Sequence, residues 1–235
     1  MNTRKYIKGV VFLAIVLMIV AAVPVLGQTT YSTRIPTAYF ATTGTGQSDE
    51  GIPPDPYETF SYDSALLMAG IENFNVVYYT SVLPKESYEV PLATVKPYFR
   101  HGAVLETIMA KAGGYKGDTV AVGIGRVWAV DSAGTYIGGF AAEYEYVYSR
   151  EMVDPKTASN AAVAQLTKSL QHELDIRGLK MKPGTTMTFN TTSLFIEKKY
   201  GIALAALGFV NYIFPEPMPV MQKKGKKIKK KRRVR

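Results

Sequence analysis

Apolar residues recur every fourth position at Ala162, Leu166, Leu170 and Leu174, the stripe of a helix with one buried face. Asp154-Pro155 supplies its start, a capping carboxylate followed by proline at the first helical position, and Gly178 supplies its stop. A second helix is predicted over Phe60–Ile71, with Phe60, Ser64, Leu67 and Ile71 on one side and Gly70 near its end. The runs Ile35–Thr42, Val120–Val130, Tyr136–Tyr148 and Thr186–Phe195 read as strands, and Asp131-Ser-Ala-Gly134 forms a hairpin-like turn between the middle two. Ile202–Phe214 is a further strand-like run, although Ala203–Leu207 suits a helix equally, and His101–Lys111 is balanced between the two states. Thr43–Tyr57, with Gly44, Gly46, Pro53, Pro54 and Pro56, reads as a turn-rich loop; no Gly-Lys-Ser/Thr follows to make it a phosphate cradle.

Between these elements lies Phe74–Val82, rich in β-branched and aromatic residues and predicted as a short, largely buried strand that Pro84 ends. Thr80 and Ser81 fall at its end. Hydroxyls in such a place commonly do no more than satisfy backbone groups near a turn. Asn75, six residues upstream of Ser81, adds a side-chain amide to the same stretch. Two carboxylates also stand out. Asp63 lies in the first turn of the predicted helix, a favourable place for an acid without further meaning. Glu143 interrupts a strand, and alternation leaves open whether it or Tyr144 faces inward.

Composition changes the picture at the two ends. The chain has 235 residues, 47% of them hydrophobic, enough for one substantial core. Its net charge of +9 is a property of the tail: residues 223–235 hold ten of the 28 Lys and Arg and no acid, leaving 18 basic against 19 acidic residues in 1–222. Such a tail is expected to be disordered from 215 to 235 and suited to an anionic membrane or polymer, or simply to solubility. At the other end, a basic segment precedes the unbroken apolar run Val10–Val23, which Pro24 ends. Residues 1–27 therefore read as a signal peptide or, if uncleaved, a membrane anchor, followed by a polar linker over 28–33. An exported or membrane-associated protein is expected, with a cytoplasmic one as the alternative. The chain has no cysteine, which excludes disulfides and thiol nucleophiles, and two histidines, which argues against a catalytic zinc. His172-Glu173 does not extend to a zinc-binding motif, because position 176 is Ile.

Seven segments occur in a recognisable order: Glu58-Thr-Phe-Ser-Tyr-Asp63-Ser-Ala-Leu-Leu67, Gly70-Ile-Glu-Asn-Phe-Asn75, Thr80-Ser81-Val-Leu-Pro84, His101-Gly-Ala-Val-Leu-Glu106, Ala141-Ala-Glu143-Tyr144, Ser169-Leu-Gln-His-Glu-Leu-Asp175 and Ala206-Leu-Gly-Phe-Val-Asn211. Together they resemble the pyruvoyl-dependent arginine decarboxylases, in particular the chlamydial-type branch, which also has Thr before the processed serine. The resemblance implies an α+β fold, a four-layer αββα sandwich over residues 34–214, assembled as a trimer with active sites between subunits. It implies self-cleavage between Thr80 and Ser81, giving a β chain that ends at 80 and an α chain that starts at 81. Ser81 would become a covalent pyruvoyl cofactor, with no metal and no pyridoxal phosphate, and L-arginine would be decarboxylated to agmatine through a Schiff base with that group. By the same resemblance Asn75 stabilises the oxyanion of processing, Glu143 is the proton donor, and Asp63 and Val82 contact the substrate. Two other readings stand beside this one. The same chemistry could act on another amino acid, or the fold could be a non-enzymatic exported scaffold carrying the polybasic tail.

Overall fold

The structure, a computed structural model, describes residues 33–215. The expected signal or anchor segment, the linker up to residue 32 and the basic tail beyond 215 lie outside the described residues. In chain order the elements are β1 (Ile35–Pro36), β2 (Ala38–Ser48), α1 (Phe60–Ala69), β3 (Asn75–Tyr78), β4 (Val82–Pro84), β5 (Tyr88–Glu89), α2 (Leu92–Val95), β6 (Val104–Tyr115), β7 (Thr119–Val130), β8 (Tyr136–Tyr148), α3 (Pro155–Asp175), β9 (Lys180–Met181), β10 (Thr188–Phe195), β11 (Tyr200–Phe209) and β12 (Tyr212–Ile213). One sheet runs β3–β6–β11–β2–β5, a second β10–β7–β8–β4 with β9 also on β7, and β1 pairs with β12. The class is α+β.

Alternation along the long strands sorts the apolar residues into three clusters. Ala203, Ala205, Leu207 and Phe209 of β11 join Ile108 and Ala110 of β6, Val120, Val122 and Ile124 of β7 and Ala141 of β8, so this cluster draws on both sheets. The intervening β11 residues Ile202, Leu204 and Ala206 pack with Leu105 and with Ala65, Leu66 and Ala69 of α1. On the second sheet, Val127, Ala129, Phe140 and Ala142 pack against Leu166, Leu170 and Leu174 of α3. The α3 stripe is buried as its spacing requires, and the Asp154 carboxylate caps it by accepting the Lys156 and Thr157 N–H groups at 3.0 and 3.1 Å. Both ambiguous runs are strands. A small-residue segment buried on both faces, such as Ala203–Leu207, has no polar alternation to separate it from a helix.

The stretch read as a loop at Thr43–Ser48 is instead the second half of β2, and its glycines have a packing reason. Thr42, Gly44 and Gly46 face α1 at every second residue, opposite Ala69, Ala65 and Ser61 at every fourth. Two strand residues advance about 6.8 Å and four helical residues about 6 Å, so the two patterns stay in step. The Thr42 hydroxyl donates to the Ala69 carbonyl at 2.7 Å. A Cβ on Gly44 would stand 2.1 Å from the Ala65 carbonyl oxygen, and one on Gly46 the same distance from that of Ser61. This close approach also overturns the expected helix face. Ser61, Ala65, Leu66 and Ala69 are buried, whereas Phe60 and Leu67 stand exposed, because only small side chains fit against a glycine strand. Gly46→Ala is accordingly expected to destabilise the fold by about 1–3 kcal/mol, the usual cost of overpacking. Thermal melting of the purified chain, with Ser48→Ala as reference, checks this.

Candidate active site

The predicted strand Phe74–Val82 is two strands in two sheets. β3 runs parallel to β6 at the edge of the first sheet, and β4 runs antiparallel to β8 at the edge of the second. As an edge, β3 leaves Asn75, Val77 and Tyr78 exposed, which corrects the expectation of a largely buried strand. The chain crosses from sheet to sheet over Tyr79–Ser81. On the near side, Tyr79 N–H donates to the Thr107 carbonyl at 2.7 Å. On the far side, Ala141 N–H donates to the Ser81 carbonyl at 2.9 Å. Between them, Val82 N–H donates to the Thr80 carbonyl at 2.9 Å, closing a three-residue turn. The carbonyl of the Thr80–Ser81 bond thus carries a backbone donor on its oxygen.

The Ser81 hydroxyl goes to neither of the backbone partners a turn would offer it. It donates to the Glu143 carboxylate, with both oxygens 2.8 Å away. Alternation along β8 explains the meeting. Ala141 points into the cluster shared by the two sheets, and Glu143 and Glu145 follow it at steps of two, while Ala142 belongs to the α3 side and Tyr144 packs against it. Glu145 extends far enough to accept Lys111 N–H of β6 at 2.8 Å. The open question about Glu143 and Tyr144 is therefore resolved with Glu143 on the side of the first sheet. Desolvation raises the Glu143 pKa above its ordinary 4.5; the Ser81 hydroxyl opposes the shift, and the charges of Glu145 and Glu173 add to it. Part of the side chain reaches solvent in the single chain, which tempers the upward push.

The other candidate residues are not gathered here. Asn75 sits at the far end of β3, and its side-chain amide donates to the Gly102 carbonyl at 2.9 Å. Four extended steps along the strand separate it from Tyr79, about 13 Å at roughly 3.3 Å each. Asp63 projects from α1, which packs on the outer face of the first sheet, whereas Ser81 and Glu143 belong to the second. Its carboxylate is exposed and makes no hydrogen bond or ion pair among the described residues. Val82 adjoins Ser81 with an exposed side chain. Sequence reasoning missed a buried carboxylate beside the crossing, Glu106, which accepts the Tyr79 hydroxyl and pairs with the exposed Arg34. An acid inside the apolar run Val104–Met109 was the available signal. It also missed the Val82 N–H, a backbone group that no residue pattern announces.

Residues 38–214 match the family described as pyruvoyl-dependent arginine decarboxylase. A protein of Chlamydia pneumoniae named pyruvoyl-dependent arginine decarboxylase AaxB is 48% identical over 195 residues, covering 81% of this chain and 98% of that one. Its namesake in Chlamydia caviae is 47% identical over 195 residues with the same coverage, and that of Chlamydia trachomatis serovar L2 is 48% identical over 187 residues, covering 77% and 94%. With the match spanning both strands that flank the crossing and the strand that carries Glu143, the chain belongs to the pyruvoyl-dependent arginine decarboxylase family.

Proposed function

We propose that this chain is a self-processing, pyruvoyl-dependent decarboxylase that converts L-arginine to agmatine and CO₂. The observation that carries the reading is the Ser81 hydroxyl held by Glu143 at the residue where the chain passes between two sheets. Maturation uses groups already in place. The Ser81 hydroxyl gives its proton toward the Glu143 carboxylate, and its oxygen adds to the Thr80 carbonyl carbon. Val82 N–H donates to the charge that gathers on the carbonyl oxygen, the task of an oxyanion donor. Rupture of the Thr80–Ser81 C–N bond, with the proton delivered to nitrogen, turns the amide into an ester. Loss of the Ser81 Cα proton then breaks the Cβ–Oγ bond and frees the Thr80 carboxylate. Water displaces the nitrogen of residue 81 as ammonia, leaving a pyruvoyl group at the head of the α chain.

The site fits that group: residue 81 heads β4, its carbonyl is tied to Ala141, and a carboxylate faces its β-carbon substituent. When formed, the group supplies a ketone that takes the substrate's α-amino nitrogen and draws off the electrons left by CO₂. Glu143 in its acid form, which the raised pKa favours, returns a proton to the substrate α-carbon. Asp63, exposed and unpaired, suits a guanidinium, which a carboxylate binds at two points. Asp63 and Asn75 then reach the reacting group from an adjoining subunit, in a trimer that covers edge strand β3. The three apolar clusters support an αββα arrangement of four layers, with α1 outside one sheet and α3 outside the other.

Ser81→Ala is expected to leave one intact chain without activity, read by intact mass and CO₂ release. A wild-type chain that stays whole yet decarboxylates arginine would refute the mechanism. Glu143→Gln still accepts the Ser81 hydroxyl but cannot take its proton, so chain cleavage should slow, and turnover per mature chain should fall by about 10²–10⁴-fold. The raised pKa fixes the sign of the pH dependence: turnover declines as pH rises through it, because the acid form is lost, and Glu143→Gln removes that limb of the profile. Asp63→Asn should weaken arginine binding by a few kcal/mol, on the order expected for a charge-assisted contact, without slowing cleavage. Rates with arginine, lysine and citrulline test this, and an unchanged preference for arginine takes Asp63 out of the site.

A further inference from the structure

Glu106 is a carboxylate with only 4% of its surface exposed, and the proposed chemistry makes no use of it. It lies on β6 opposite Val77, two residues before the chain leaves the first sheet at Tyr79. One oxygen receives the Tyr79 hydroxyl and the other pairs with Arg34, whose guanidinium also lies 5.1 Å above the Tyr212 ring. The Tyr79 ring packs 5.5 Å from that of Phe209 in the cluster shared by the sheets. The Arg34 side chain is 51% exposed, and an ion pair open to solvent on one side contributes little net stability. Phenylalanine at 79 would fill the same space without requiring a buried acid. What the phenol adds is a second, directional tie on the residue just before Thr80.

We infer that Tyr79 and Glu106 are positioning residues for self-cleavage, holding the Thr80 carbonyl in line with the Ser81 hydroxyl; the inference rests on the processing reading above. Ser81 and Val82 are fixed to β8 on the far side of the bond. Thr80 itself is exposed and, among the described residues, has only the turn bond from Val82. The direction of its carbonyl is therefore set by its two neighbours, one tied to each sheet. On the Tyr79 side, the backbone bond to Thr107 fixes position along the strand, and the hydroxyl on Glu106 fixes rotation about the strand axis. Displacement of an attacking group by about 1 Å can cost on the order of 10²-fold in rate. Attack of the Ser81 hydroxyl on the Thr80 carbonyl depends on such alignment, whereas turnover after cleavage does not pass through the Thr80 carbonyl.

The test follows cleavage of full-length chain made in a short labelled pulse, chased and resolved by denaturing electrophoresis and intact mass. Ser81→Ala is the uncleaved reference. Tyr79→Phe and Glu106→Leu are expected to lengthen the half-time of cleavage about tenfold or more, and Glu106→Gln, which still accepts the phenol, by less. The double variant Tyr79→Phe/Glu106→Leu should be no slower than the slower single one, because the two groups act as one contact. Turnover per mature chain, with mature chains counted by mass, should remain near wild type. Melting curves of each substitution in the Ser81→Ala background separate alignment from stability, with the remote core change Ala162→Gly as a destabilised control. Cleavage of Tyr79→Phe at the wild-type rate, or slowing matched by Ala162→Gly, overturns the inference while leaving the decarboxylase reading intact. A wild-type chain that never cleaves overturns both.

Discussion

Every buried backbone group needs a partner, and the crossing at Thr80 is where this chain changes the sheet that provides them. Up to Tyr79 the backbone bonds to β6; from Ser81 it bonds to β8. The peptide between belongs to neither ladder, so its carbonyl is free to be turned toward the next side chain and to accept Val82 N–H from within the turn. Because β6 and β8 contribute to one apolar cluster, neither anchor can shift without disturbing the core they share. The Thr80–Ser81 bond is thus a loose link between two firm supports. Nothing about its covalent chemistry is unusual; its surroundings are.

The same constraint decides what could be read from residues alone. Elements whose signal is local were legible: the four-residue stripe and Asp154-Pro155 cap of α3, the β7–β8 hairpin, and the order of motifs that marked the family. Elements whose form depends on a distant neighbour were not. The glycines at 44 and 46 look like loop residues until α1 is laid against them, and the α1 face cannot be chosen before that contact is known. Phe74–Val82 reads as one run of β-branched and aromatic residues in which a Thr-Ser pair is no breaker, so nothing local announces the crossing; only the competing partners β6 and β8 define it. Asn75 and Asp63 were named from motifs, and within one chain they remain apart from Ser81.

On the proposed chemistry, Glu143 serves two reactions that need opposite protonation states. Before cleavage it must accept a proton, and the Ser81 hydroxyl bound across its two oxygens favours the ionised form that does so. That hydrogen bond is the main influence holding the pKa down against desolvation and the nearby Glu145 and Glu173. On the proposed chemistry, cleavage removes it, because the hydroxyl oxygen departs with the Thr80 carboxylate and the keto group that replaces it has no proton to donate. The opposing influences are then left in place, and the carboxyl becomes more readily protonated. Maturation itself thereby changes Glu143 from the base that serves the first reaction into the acid that the second requires.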